Sequence, residues 1–143
     1  MNKRFNSIVV ACIIAITTIT FTSCDKDKDE MDPPDIGFKT GGSYISTSSS
    51  VNAGDPVLIG IEAEKSEGEE EDVLKHFNIS KSVNGGATSS VYDVDLTSAQ
   101  EDMYNYDFNT TASGTVGDID LYTFTITNRD GLIGQVSLSI TAQ

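Results

Sequence analysis

Tryptophan is absent from this 143-residue chain, histidine occurs once, proline three times and cysteine twice, and both cysteines fall at or before position 24. Each shortage excludes something. With no cysteine beyond position 24, no disulfide can staple the bulk of the chain, so its fold must rest on an apolar core. One histidine, His76, leaves no zinc-type His/Cys spacing, and it is the sole base of the usual kind for activating a nucleophile. Flanked by Lys75 and next to Phe77, it reads as an ordinary surface histidine. No Gly-x-Ser-x-Gly elbow and no Gly-rich phosphate loop occurs either. Positive charge is scarce: 9 Lys and Arg stand against 22 Asp and Glu, a net charge of −13. That balance repels nucleic acid and anionic lipid. Long apolar runs are lacking as well. The longest, Ile8 to Phe21, would reach only about 21 Å as a helix, short of the roughly 30 Å hydrocarbon core.

That short run has a different use. Lys3 and Arg4 precede it, small residues and threonines interrupt it, and it ends at Phe21-Thr22-Ser23-Cys24. This is the layout of a secretory signal rather than of a folded element. Ser23 before Cys24 resembles the lipobox of bacterial lipoproteins, although Phe21 stands where an aliphatic residue is usual. The resemblance implies cleavage before Cys24 and lipidation of its thiol. Val10-Ala11-Cys12 is a rival, but cutting there would shorten the apolar core to four residues and leave Ile13 to Phe21 as an unshielded tail. An ordinary secretory cleavage near Ser23 is the other alternative.

A dense charged run follows: Asp25, Lys26, Asp27, Lys28, Asp29 and Glu30. Alternating charges of this kind bury nothing and read as a solvated tether. The run also resembles the export signal of surface-exposed lipoproteins of the Bacteroidetes, which implies an outer-membrane lipoprotein exposed at the cell surface and attached to the membrane through the lipid on Cys24. An EF-hand is the competing reading of Asp25-x-Asp27-x-Asp29. It fails because Glu30 takes the place of the turn glycine and Ile36 that of the bidentate glutamate. The expected organisation is a signal peptide at 1–23, a lipidated, disordered tether at 24–34 closed by Pro33-Pro34, and one domain at 35–143.

Within that domain the apolar residues recur at period two. Val136, Leu138 and Ile140 alternate with Ser137 and Ser139, so one face of that strand is buried. The same pattern holds in Tyr122, Phe124 and Ile126, and in Val57, Ile59, Ile61 and Ala63. Weaker copies are Tyr104, Tyr106 and Phe108; Tyr92, Val94 and Leu96; Phe77 and Ile79; and Ile36 with Phe38. Turn signals separate them at Asn52-Ala53-Gly54-Asp55, Asn84-Gly85-Gly86, Ser113-Gly114 and Asp130-Gly131. Seven strands without a helical period predict an all-β fold, an antiparallel β-sandwich.

The segment Gly117 to Gly131, with the strand Gln135 to Thr141 behind it, is similar to the final hairpin of bacterial Ig-like domains of the PKD and cadherin type. Those domains carry a Tyr-x-x-x-(Val/Ile)-x-(Asp/Asn)-x-x-Gly pattern there, and Asn52-Ala53-Gly54-Asp55-Pro56-Val57 resembles the lead into their second strand. The Trp-x-Phe-Gly-Asp signature of PKD repeats is missing. The resemblance implies a seven-stranded Ig-like sandwich.

Acids crowd the stretch Glu62 to Asp72, and Asp93, Asp95, Asp118, Asp120 and Asp130 stand near expected turns. No linear spacing among them brings six to eight oxygens to one point, so solvated loops and turns are the expectation and no metal or cofactor is assigned. Tyr44 lies outside any apolar alternation and is the one tyrosine that reads as free to stack on a sugar. The functional expectation is a non-catalytic, surface-displayed module with a structural or protein-interaction role, adhesin-like or accessory. The alternative is a glycan-binding surface lipoprotein accompanying a polysaccharide uptake system.

Overall fold

The computed structural model describes residues 32–66 and 72–143, which form eight strands. They are β1 (Asp35–Phe38), β2 (Ser49–Val51), β3 (Pro56–Glu64), β4 (Leu74–Val83), β5 (Ser89–Asp95), β6 (Met103–Thr111), β7 (Ile119–Asn128) and β8 (Ile133–Ala142), with one 3-10 turn at Ser98–Gln100. A three-stranded sheet, β1-β3-β6, packs on a five-stranded one, β2-β8-β7-β4-β5. The result is the β-sandwich expected from the alternation, with eight strands in place of seven. All pairings are antiparallel except β2 with β8, which run parallel.

Two elements differ from the sequence expectation. β2 lies in a Ser-rich stretch with no apolar alternation to announce it, and it is held by pairing Ser49, Ser50 and Val51 along Ile140, Thr141 and Ala142. The strand carrying Phe77 and Ile79 is ten residues long rather than short, because it is central in its sheet and pairs on both sides, with β7 and with β5.

The core follows from the period of two. β3 directs Val57, Ile59, Ile61 and Ala63 inward; β4 adds Leu74, Phe77 and Ile79; β8 adds Leu138, Ile140 and Ala142, all buried. The inward face of β7 reads Asp120, Tyr122, Phe124, Ile126, Asn128, with all five buried. Phe124 meets Phe38 and Phe108 edge-on, at centroid distances of 5.8 and 6.0 Å, and so joins the two sheets across the middle of the sandwich. Each fully buried side chain of this size contributes about 1.5 to 3 kcal/mol of transfer free energy.

Polar groups close the core at both poles. At one, Asn128 donates to Asp72 Oδ1 at 2.6 Å and accepts from the Leu132 amide at 2.8 Å, which fixes the β7–β8 turn. At the other, Asp120 Oδ2 receives Lys81 Nζ at 2.9 Å and the Ser113 amide at 3.1 Å. Burial works against the Lys81 charge, but its hydrogen bonds with Asp120 and Tyr122 outweigh that and hold the ammonium above its ordinary value. Asp72 Oδ2 and Asp120 Oδ1 have no partner among the described residues. Removing Lys81 would therefore strand a buried carboxylate, the costly half of a buried pair.

Gly134 sets how the chain enters the domain. A Cβ there would collide with the backbone carbonyl of Pro34 and crowd the methyl groups of Ile126 and Ile36. The bare backbone lets Pro34 sit buried against β8 just ahead of β1. Ser66 donates to the Asp32 carbonyl at 2.6 Å, so the entering segment is held from two sides.

Leu138 is 2% exposed and Ser137 faces outward. Leu138→Asp should unfold the protein by placing an unpaired charge in the core, whereas Ser137→Asp should shift the melting temperature little. Phe124→Ala should cost about 3 to 5 kcal/mol, and Gly134→Ala should destabilise although it adds a single methyl group. Thermal melts of the four variants decide this; equal melting temperatures for the two aspartate variants would overturn the register.

Candidate functional site

The two sheets are unequal in width, and the difference falls at β5. β6, the outer strand of the narrow sheet, packs over β4 and β7: Phe77 lies 5.0 and 5.7 Å from Tyr104 and Tyr106, and Phe108 lies 5.5 Å from Tyr122. No described strand lies opposite β5. Its inward residues Tyr92 and Val94 are accordingly half-buried rather than buried, as are Tyr106 and Phe108 on β6.

Four aromatic side chains partly close this overhang. Tyr92 stacks on Tyr106 at 4.5 Å and 28°, Tyr106 runs nearly parallel to Tyr104 at 6.2 Å and 12°, and Phe77 backs the group. Burial pushes the Tyr104 hydroxyl well above its ordinary range, and hydrogen bonding with Tyr92 adds to the effect. Burial raises Tyr106 as well, with Tyr92 again contributing. The ring faces of this group are largely turned on one another.

On the outer surface of the same strands lies the second constellation. β4 and β5 place His76 opposite Asp95 and Asn78 opposite Asp93. His76 Nδ1 lies 2.9 Å from Asp95 and Nε2 lies 3.2 Å from Asp93, while Asn78 donates to Asp93 at 2.8 Å and to Ser90 at 2.7 Å. The hydrogen bond to Asp95 raises the His76 pKa, opposed by partial burial and reinforced by the Asp93 charge. With a carboxylate near each ring nitrogen, His76 when protonated can donate from both.

The other sequence candidates are dispersed. Cys24 and the run Asp25, Lys26, Asp27, Lys28, Asp29 and Glu30 lie outside the described residues. Asp72 is a buried partner of Asn128, whereas Glu62 and Glu64 are exposed along β3. Asp118 accepts from Ser113 at 2.6 Å and Asn84 at 2.8 Å, bonds that hold its carboxyl below the ordinary range and tie three connections together at one pole. Asp130 pairs with Arg129 at the opposite pole. Among the described residues no group of three or more His, Cys, Asp or Glu side chains is placed to hold a metal ion.

Tyr44 is not free. It lies with Lys39 on the bare backbone of Gly60, where a Cβ would come within 2.7 to 2.8 Å of both side chains. Its hydroxyl donates to Asp107, which also receives Lys39 at 2.8 Å. A strand-interior glycine was the signal for this close cover.

No family model matches the chain, and no curated protein matches it. Among solved structures, the superoxide reductase (neelaredoxin) of Ignicoccus hospitalis superposes with a TM-score of 0.53 at 10% identity, over 78% of this chain and 81% of that one. A second structure of that protein, bearing a substitution, gives 0.50 at 11% identity over 82% and 85%. Spo0M, the sporulation control protein of Bacillus subtilis, gives 0.44 at 8% identity, over 78% of this chain and 49% of that one. At such identities the likeness to the reductase shows a shared β-sandwich fold and nothing of its chemistry.

The raised pKa of His76 has a sign. Its ion pairs contribute fully below the ordinary histidine value, and the contribution is lost as pH rises through the higher folded value. Because the ring is about a third exposed, the contribution is that of a screened surface pair, roughly 0 to 1 kcal/mol. Melting temperatures between about pH 6 and about pH 8 should therefore fall more steeply for the wild type than for His76→Gln. Parallel curves would show that the pairs contribute nothing.

Proposed function

We propose that this chain is a lipid-anchored module of the outer membrane, displayed at the cell surface and acting through protein contact rather than catalysis. The observation that carries the reading is the junction at Cys24, where an apolar signal too short to span a bilayer ends at Ser23-Cys24 and a run of alternating charge begins. The resemblance of that run to Bacteroidetes export signals supports surface display. Among the described residues no helix is long and apolar enough to cross a membrane.

The mode of action is supported by the domain itself. The one histidine is occupied by two carboxylates. The half-buried overhang between β5 and β6 is the part of the sandwich that no described strand covers. A glycan-binding role is the second reading, because the rings of Tyr92, Tyr104 and Tyr106 gather there. Their rings stack on each other and on Phe77, however, which leaves little open face for a sugar and favours a protein partner.

Metabolic labelling with a fatty-acid analogue tests the anchor: Cys24→Ala should abolish labelling and release the protein from membranes, while Cys12→Ala should change neither. Labelling lost only in Cys12→Ala would mean that the other cysteine is lipidated. Protease shaving of intact cells tests display. Neutralising Asp25, Asp27, Asp29 and Glu30 should protect the protein from shaving without altering its melting temperature, and equal shaving of both forms would reduce the run to a spacer.

A further inference from the structure

The strand edges of the sandwich are treated unequally. β1 is four residues long and β2 three, too short to template much pairing. β5 carries a bulge, with Val91 extra between the pairs Ile79–Tyr92 and Ser80–Ser90, and two exposed aspartates. These are the ordinary means of blunting an edge. β6 is neither short nor bulged. It is nine residues long, pairs with β3 in unbroken register from Met103 to Thr111, and contains neither proline nor lysine. Its one charge, Asp107, is neutralised by Lys39.

The phase of its hydrogen bonds can be fixed from both ends. The Ala112 amide donates to the Asp55 carbonyl and the Lys65 amide to the Asp102 carbonyl, so the even-numbered residues between them face β3. On the other side of β3, the Lys39 and Ile45 amides donate to Gly60 and Leu58, which agrees with this phase. Asn105, Asp107 and Asn109 therefore direct their amides and carbonyls to the open side. Among the described residues, a single long contact of 3.5 Å, from Asn109 Nδ2 to the Asp107 carbonyl, is the nearest thing to a partner there. The open position beside β6 lies over β5, the strand that no described strand covers.

The geometry points to strand addition: an extended segment of a partner protein pairs with the free edge of β6 and covers Tyr92, Val94 and Tyr106 with alternate apolar side chains. Its remaining side chains are Lys or Arg. From Asp32 onward the sequence holds eighteen acids and five bases. Each of those bases already has a carboxylate partner: Lys39, Lys65, Lys75, Lys81 and Arg129 pair with Asp107, Asp102, Glu101, Asp120 and Asp130. The field met by an incoming strand is negative, which attracts a cationic segment and repels a second copy of this chain. Backbone pairing supplies the affinity and alternate side chains the selectivity, as in other strand additions.

The inference rests on the reading of this domain as a protein-contact module, and its test is independent of the anchor. The purified full chain is titrated with a ten-residue peptide of alternating lysine and valine, with an isomer of five lysines followed by five valines as control, and amide exchange is followed by NMR. The alternating peptide should slow exchange at Asn105, Asp107 and Asn109 by about tenfold or more, and the block isomer should not. Asn109→Pro removes a donor from the open side without taking one from β3, so it should keep its melting temperature within a few degrees and lose about tenfold in peptide affinity. No protection at these amides, equal protection by both peptides, or protection at β5 instead would overturn the proposal. Protection that rises with protein concentration alone would overturn it in favour of a second copy. If Asn109→Pro does not fold, the exchange comparison on the wild type still decides.

Discussion

The apolar seam between the sheets is the interaction on which the rest of this structure depends. No disulfide joins the described strands, so Tyr122, Phe124 and Ile126 on β7 must hold β1, β3 and β6 against the wide sheet by burial. Phe124 is central to that seam because it meets aromatic rings from both outer strands of the narrow sheet, Phe38 on β1 and Phe108 on β6. The polar ends of β7 serve the same seam. Asp120 and Asn128 occupy inward positions where a fourth and fifth apolar residue would run into the poles, and each turns its position into a clamp on a neighbouring connection.

Placing a three-stranded sheet on a five-stranded one has a consequence that burial cannot remove. The three strands reach across β8, β7 and β4 and stop, so the inner face of β5 is only partly covered. Tyr92 and Tyr106, stacked on each other and backed by the buried Tyr104, are large enough to lean into the gap. Leucines there would present a bare apolar strip, whereas tyrosines leave a surface that tolerates water when empty and offers ring edges when covered. Adjoining it, β6 leaves the backbone groups of Asn105, Asp107 and Asn109 open, and the two features share one flank of the sandwich.

What the sequence disclosed follows from which forces leave a mark on it. A period of two is written into any strand with one buried face, so Leu138 inward and Ser137 outward could be read directly, as could the outward position of His76. β2 left no such mark, since three Ser-rich residues held by parallel pairing with β8 bury little of their own. Tyr44 was misread for a related reason: nothing local shows that Asp107, 63 residues away, accepts its hydroxyl, although Gly60 in the middle of an apolar strand hinted that something lies over that spot. Asp72 and Asp120 looked like solvated acids because burial depends on neighbours that are distant in sequence, Asn128 and Lys81 respectively. The partners of His76, and the free edge of β6, are likewise properties of sheet order. Sheet order is not periodic, and composition does not encode it.

The geometry of entry bears on how such a module would work when hung from a membrane. Pro34 is seated against Gly134 at the pole that also holds Glu64, Met103 and Asn128, so the chain enters the sandwich at one end and not at its side. A contact surface built from the loops of that pole would compete with the membrane for space, and one built from the opposite loops would depend on how the domain tilts. β6 runs from the entry pole to the far one, with its open side on the flank. An edge in that position is accessible over most of its length unless the domain tilts onto that flank, and on the proposed reading a short charged tether would be sufficient.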